Sequence, residues 1–397
     1  MSDVLDIIDN LSEVPKMYYG ALFGVGFVLY YLIEVVKAPQ LVCGDGPFRT
    51  FIEEHVDLVK NKFWPTLWCF ESRAQTVLAS VLRSTMMPDI HYRREILTLK
   101  DGGEVALDWS DENLLENSPI VLILPGLTGG SQAEYVKCLV SSAKKIGIKC
   151  VIFNNRGLGG VTLKTPRLYC AANCDDLAEV LSHIRKLNPN SPLSATGISM
   201  GGMILGNYLA QQGASAVGKI KSALIISAPW NVFEATKSIE KPGLNLMLNK
   251  HLADGLRKNL INVNHSNRNH WFDLDIDTVL KSRTIREFDA NFTASHFGYK
   301  DVDDYYENAT LHNKLHFIQV PTLCLSAADD PFQPFEAIPL KEASKLKNVA
   351  FVVTKRGGHI GFLEGFWPIK QEQYIGKLFS QFFKAVFMKE LNNHVST

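Results

Sequence analysis

The run Gly197-Ile198-Ser199-Met200-Gly201 constrains this chain more than any other stretch, because it sets one serine between two glycines where a strand-like segment meets a helix-like one. Ser191 to Thr196 has room for the strand, and Met203 to Ala210 carries apolar residues at helical spacing. A strand that feeds straight into a helix needs a sharp turn, and glycines on both sides keep β-carbons out of the way. The serine then stands at the tip of a strained backbone. Taken alone, the pentapeptide also fits an inert tight turn. The discriminating feature is chain order: an acyl-transfer site of this kind places a glycine loop before the serine, then an acid, then a histidine.

That order is present. Ile120 to Leu124 is a continuous apolar run, as expected of a strand buried on both faces of a parallel sheet, and it ends in Pro125-Gly126-Leu127-Thr128-Gly129-Gly130. Such a loop brings backbone amides close to a substrate oxygen. The expected oxyanion donors are the N–H groups of Leu127 and of Met200, the residue after the serine. Further on, Val320 to Ala328 reads as another strand and ends in Asp329-Asp330-Pro331. Asp330 is the preferred acid because the short loop to Pro334 fits better from the second aspartate. Asp329 remains the alternative, and one of the two is free to cap a helix. Among eleven histidines, His359 follows a late β-branched strand within the turn Arg356-Gly357-Gly358-His359-Ile360-Gly361. A serine, histidine and aspartate in this order suit nucleophilic attack on an ester carbonyl, with no metal or cofactor required.

The surrounding pattern agrees with a chain of 397 residues built around one large α/β domain. A hairpin is expected from Tyr92 through the turn Asp101-Gly102-Gly103 to Trp109. Strands then alternate with helices: strand 120–124, helix 132–145, strand 149–153, helix 174–187, the strand into Ser199, helix 202–212, strand 222–227, strand 320–326, helix 336–346, strand 349–353 and a last helix 370–388. Alternation of this kind means a mostly parallel sheet with helices on both faces. The interval of about 231–315 is too long for a simple crossover. It is expected to form a helical lid whose Phe288, Phe292, Phe297, Tyr299, Tyr305 and Tyr306 suit an acyl-chain cleft or an ordinary helical core. His270 and Asp275 also form a His-x-x-x-x-Asp pair, more in keeping with chance than with an acyltransferase motif. Forty-one basic and 41 acidic residues cancel, so no global field favours nucleic acid. The seven cysteines are scattered, with no metal-binding Cys-x-x-Cys pair, and Cys170 and Cys174 are spaced as neighbours on a helical face.

Ahead of the domain, after a tail of residues 1–16, Met17 to Ile33 has no charge, and the segment 17–36 is long enough for a transmembrane anchor. Tyr18, Tyr19, Tyr30 and Tyr31 suit the interfacial belts. The leader carries Asp3, Asp6, Asp9 and Glu13, which disfavours a cleaved signal peptide; a buried core helix is the other alternative. Lys16 and Lys37 flank the segment almost symmetrically, so orientation stays open, as does oligomeric state. Residues 37–91 form an aromatic-rich helical linker in this reading, with Phe51, His55 and Val59 on one helical face that packs on the domain or rests on a membrane.

Together with Phe153-Asn154-Asn155-Arg156-Gly157, Thr165-Pro166-Arg167 and the extension of the histidine turn to Gly365, these motifs resemble the type 4 family of the AB-hydrolase superfamily, and within it the α/β-hydrolase domain-containing proteins one and three. The resemblance runs from about Tyr92 to Phe387. It implies an α/β-hydrolase fold over 92–390 and a single-pass protein of an endomembrane such as the endoplasmic reticulum. It also implies an activity on phospholipid or acylglycerol esters, with Ser199, Asp330 and His359 as the triad. Some members transfer acyl groups to alcohols, and a non-catalytic lipid-binding role on the same scaffold is the third alternative.

Overall fold

The computed structural model describes residues 16–266 and 275–388. Nine strands form one sheet: β1 (Gln40–Val42), β2 (Arg93–Thr98), β3 (Glu104–Ser110), β4 (Ile120–Leu124), β5 (Lys149–Asn154), β6 (Leu193–Ile198), β7 (Ala223–Ile226), β8 (Thr322–Ala327) and β9 (Val349–Thr354). Their spatial order is β1-β9-β8-β7-β6-β4-β5-β3-β2. From β5 to β9 the neighbours run parallel, whereas the β2–β3 hairpin on one edge and β1 on the other run antiparallel.

The apolar run 120–124 is buried along its whole length because its residues serve two cores. Ile120, Leu122 and Leu124 pack on one face with Leu177, Leu205 and Tyr208, while Val121 and Ile123 pack on the other with Leu139, Phe379 and Phe382. Helices α4 (Glu134–Lys145) and α10 (Tyr374–Met388) cover the second face, and α5 (Asp175–Leu187) and α6 (Met200–Gln212) cover the first. Parallel strands covered on both sides have no reason to alternate polar with apolar residues.

Between β7 and β8 lies the expected helical insertion. Its longer members are α7 (Val232–Ile239), α8 (Leu244–Ser266) and α9 (Val302–Ala309), joined by single turns such as Ile276–Val279 and Ile285–Phe288. Asp275 caps the first of these turns by accepting from the Thr278 amide, and His270, its suggested partner, lies outside the described residues. Phe297 and Tyr299 pack toward the main core instead of the cleft. Two local expectations change. The helix at 336–346 is a 3-10 turn and one α-turn, Leu340–Ala343, because Pro339 ends the first piece and removes a donor. Cys170 lies ahead of α5 and Cys174 is that helix's N-cap, so they share no helical face.

The segment before the hairpin differs most from expectation. Helix α1 (Lys16–Tyr30) continues as a π turn over Tyr31–Val35, and Tyr18–Val35 is the one described helix long and apolar enough to cross a membrane. After it, residues 37–91 are wired into the domain and are no linker. β1 pairs with β9, and α2 (Pro47–His55) buries Phe48, Phe51 and Ile52 against α10. Helix α3 (Ser72–Met86) runs behind the histidine turn, capped by Glu71, whose carboxylate accepts from the amides of Arg73 and Ala74. Each buried aromatic or isoleucine of α2 contributes about 1.5–3 kcal/mol, which is why this segment packs on the domain and does not rest elsewhere.

Candidate active site

β6 delivers Ser199 from the middle of the sheet, and the turn is as tight as the two glycines require. A β-carbon on Gly197 would sit 2.5 Å from the Gly201 carbonyl oxygen, and one on Gly201 would sit 2.1 Å from that of Leu124. Ser199 itself holds φ 52°, a left-handed conformation that costs a non-glycine residue about 1–3 kcal/mol. Two bonds hold it there: its amide donates to Ile226 O at 2.8 Å, and its carbonyl accepts from Met203 N at 3.1 Å, locking strand to helix.

The imidazole of His359 bridges the serine and an acid. Its Nε2 lies 2.9 Å from Ser199 Oγ, and its Nδ1 lies 2.9 Å from Asp330 Oδ2. Asp330 and His359 are both buried, and the other carboxylate oxygen, Oδ1, accepts from the amides of Phe332 and Gln333. The acid is thus fixed from one side and presents its free oxygen to the ring. The Phe332 ring packs 4.2 Å from the imidazole. Between the two candidate aspartates, Asp330 reaches the histidine and Asp329 does not. Asp329 instead accepts from the Gly358 amide at 3.0 Å and faces Arg356 at 3.8 Å. Burial outweighs these partners and pushes its carboxyl up to about 6.

The histidine turn is held from behind by α3, an element the sequence reading passed over. His359 N donates to Thr76 Oγ1 at 2.9 Å, and Arg83 donates to the carbonyls of Ile360 and Gly361. Gln75 binds Leu363 through both its amide atoms, accepting from N at 2.7 Å and donating to O at 3.2 Å. Gln75 and Arg83 are buried. Two buried polar side chains about two turns apart on an otherwise amphipathic stretch were the available signal. Their partners lie 277 to 288 residues away, so the signal had no visible target.

The glycine loop after β4 comes to the same place. Its Gly126 amide donates to Tyr135 OH at 2.9 Å and its Thr128 amide to Tyr169 OH at 3.3 Å, so two tyrosines fix it. The amides of Leu127 and Met200 donate to no protein acceptor among the described residues. Leu127, Met200, Ser199 and His359 all line one cavity of about 260 Å³. Its walls are mainly apolar: Leu168, Met203, Ile239, Leu252, Leu256 and Phe292 among others, drawn largely from the insertion. One wall carries Asp289, which accepts from Thr293 and Tyr306 and whose carboxyl burial pushes up to about 7.

A family model described as the α/β hydrolase fold matches residues 119–366. The chain is 41% identical over 372 residues to phospholipase ABHD3 of Mus musculus, covering 92% of this chain and 88% of the mouse protein. It is 36% identical to protein abhd-3.2 of Caenorhabditis elegans over 85% of this chain and 88% of that one. Monoacylglycerol lipase ABHD2 of Bos taurus is 26% identical over 89% and 88% of the respective chains. With the serine elbow, the buried carboxylate–imidazole pair and the match across its sheet, the chain belongs to the α/β-hydrolase family, among the relatives of ABHD3.

Proposed function

We propose that this chain is a membrane-anchored serine hydrolase that cleaves carboxylic ester bonds of lipids, phospholipid or acylglycerol, through an acyl-enzyme. The observation that carries this reading is the Ser199–His359–Asp330 chain of 2.9 Å contacts opening into a mainly apolar cavity. Ser199 Oγ attacks the ester carbonyl while His359 Nε2 takes its proton. Asp330 Oδ2 accepts from Nδ1–H, fixing the tautomer and stabilising the imidazolium. The amides of Leu127 and Met200 receive the oxyanion, each contributing about 3 kcal/mol to lowering the barrier. His359 then protonates the departing alcohol, and water resolves the acyl-enzyme by the same steps in reverse.

The apolar lining supports a long acyl group as substrate, because an extended chain is desolvated there against Leu, Ile, Met and Phe side chains. Relatives named phospholipase and monoacylglycerol lipase support the same class. The exposed apolar face of α1 supports a single-pass anchor over 17–36, followed by the hydrolase domain. A fluorophosphonate probe labels the folded protein at Ser199 in this reading. Ser199→Ala abolishes labelling and lowers kcat on a phospholipid or monoacylglycerol ester by at least about 10⁴-fold with an unchanged circular dichroism spectrum. Undiminished labelling of Ser199→Ala, or none of the folded wild-type protein, overturns it.

A further inference from the structure

Four large aromatic side chains stand together, exposed, on the surface that flanks the end of α1: Trp64 (48% exposed), Trp68 (45%), Phe366 (60%) and Trp367 (61%). They come from two segments far apart in sequence, and backbone bonds join those segments. Thr66 N donates to Leu363 O at 3.0 Å, and Gly365 N donates to Trp64 O at 3.1 Å. The indole N–H of Trp68 donates to Phe366 O at 2.9 Å, and the Phe366 and Trp367 rings meet edge to face at 5.2 Å. The rings are therefore preset. Trp68 has its polar atom satisfied inside the protein, so what it presents outward is hydrocarbon.

The platform is continuous with α1. Tyr31 packs 6.4 Å from Trp64, and Phe27, Tyr30 and Tyr31 all pack within 6.2 Å of Phe70. Tyr31 OH donates to Pro65 O, pinning the helix end to the same segment. Beyond that point the helix shows Leu22, Phe23 and Val25 to its surroundings. A helix that spans a bilayer leaves it where its apolar face ends, and rings touching its last turn are then held at headgroup depth. Tryptophan and tyrosine are enriched at that depth because an amphipathic ring suits it. Exposed Lys62 lies two residues from Trp64 and exposed Lys370 three from Trp367, as fits a surface that meets lipid phosphates.

We infer that Trp64, Trp68, Phe366 and Trp367 form a second membrane contact, a preset aromatic platform that seats in the bilayer interface and fixes how the domain sits on the lipid surface. The inference rests on the anchor reading of α1. Its consequence is orientation: a span alone leaves the domain free to swing, whereas a platform in the interface holds the histidine turn, which leads into Phe366 and Trp367, beside the lipid.

The seven cysteines are all buried, so a cysteine introduced on the surface takes an NBD fluorophore selectively. The full chain, reconstituted in phosphatidylcholine nanodiscs with and without 5-doxyl phosphatidylcholine, is labelled in turn at Trp68→Cys, Trp367→Cys, Phe23→Cys and Leu115→Cys. Leu115 is exposed before β4, at the sheet end opposite the histidine turn, and serves as the aqueous reference. The expected result is at least threefold quenching at positions 68, 367 and 23 and little at 115. Quenching at 23 with none at 68 and 367 overturns the platform and leaves the anchor standing. No quenching at 23 overturns the anchor, and the platform as proposed falls with it. Protection of 68 and 367 that requires no lipid and grows with protein concentration also overturns it, in favour of a second copy of this chain.

Discussion

Asp329 and Asp330 are adjacent and chemically identical, yet one turns to the imidazole and the other to the backbone behind it. Sequence favoured Asp330 through the loop to Pro334, and in the structure the amides at the start of that loop donate to its Oδ1 and leave Oδ2 toward the imidazole. Asp329 is the costlier neighbour. Burial pushes its carboxyl up to about 6 from the ordinary 3.8, so the folded state binds its proton more tightly than the unfolded chain does. Its contribution to stability is therefore greatest below about pH 4 and is lost as pH rises through about 6. Asp329→Asn keeps an oxygen for Gly358 and removes the titration. Thermal melts of the two proteins are expected to converge near pH 4 and to separate by about 2–3 kcal/mol in favour of the variant above pH 7. A difference independent of pH would refute that account.

Most elements were legible in the sequence where their pattern is local. Strands buried on both faces read as unbroken apolar runs, such as 120–124 and 349–353, and helices on the sheet carry the 3.6 period, as in α5 and α10. The order of loop, serine, acid and histidine was legible for the same reason. α3 was not, because its role is non-local: Gln75, Thr76 and Arg83 acquire meaning only when the histidine turn is brought against them. β1 is three residues long and carries no periodicity to detect. The weight of α3 is measurable. Thr76→Val removes the acceptor of the His359 amide and leaves a buried N–H unpaired, a loss of about 1–3 kcal/mol. It is expected to lower kcat about tenfold with little change in KM, because it shifts the base and touches no substrate. Thr76→Ser restores the bond and the rate. An unaltered kcat in Thr76→Val would show that the turn holds itself.

On the scale of the whole molecule, the catalytic domain does not begin at the hairpin, where the motif resemblance would place it, nor at residue 119, where the family-model match starts. Phe48, Phe51, Ile52 and Phe63 lie in the core beneath α10, and at about 1.5–3 kcal/mol each their loss approaches the 5–15 kcal/mol that stabilises a domain. A chain beginning at Lys37 is expected to fold and to react with a fluorophosphonate probe, whereas one beginning at Pro88 is expected to aggregate without labelling. Size-exclusion chromatography and probe labelling of the two separate these outcomes, and a folded, reactive protein from Pro88 would sink the argument. The short strand β1 carries a temporal consequence as well. It pairs Leu41 with Val352, a partner 311 residues later in the chain. At about 5–20 residues per second, the ribosome makes that partner roughly 15–60 s after β1. Throughout that interval the first strand of the sheet waits without its mate, already tied to the α1 segment. That edge of the sheet is thus closed by the earliest-made of its strands, and a nascent polypeptide of this sequence needs shelter for β1 until β9 has been made.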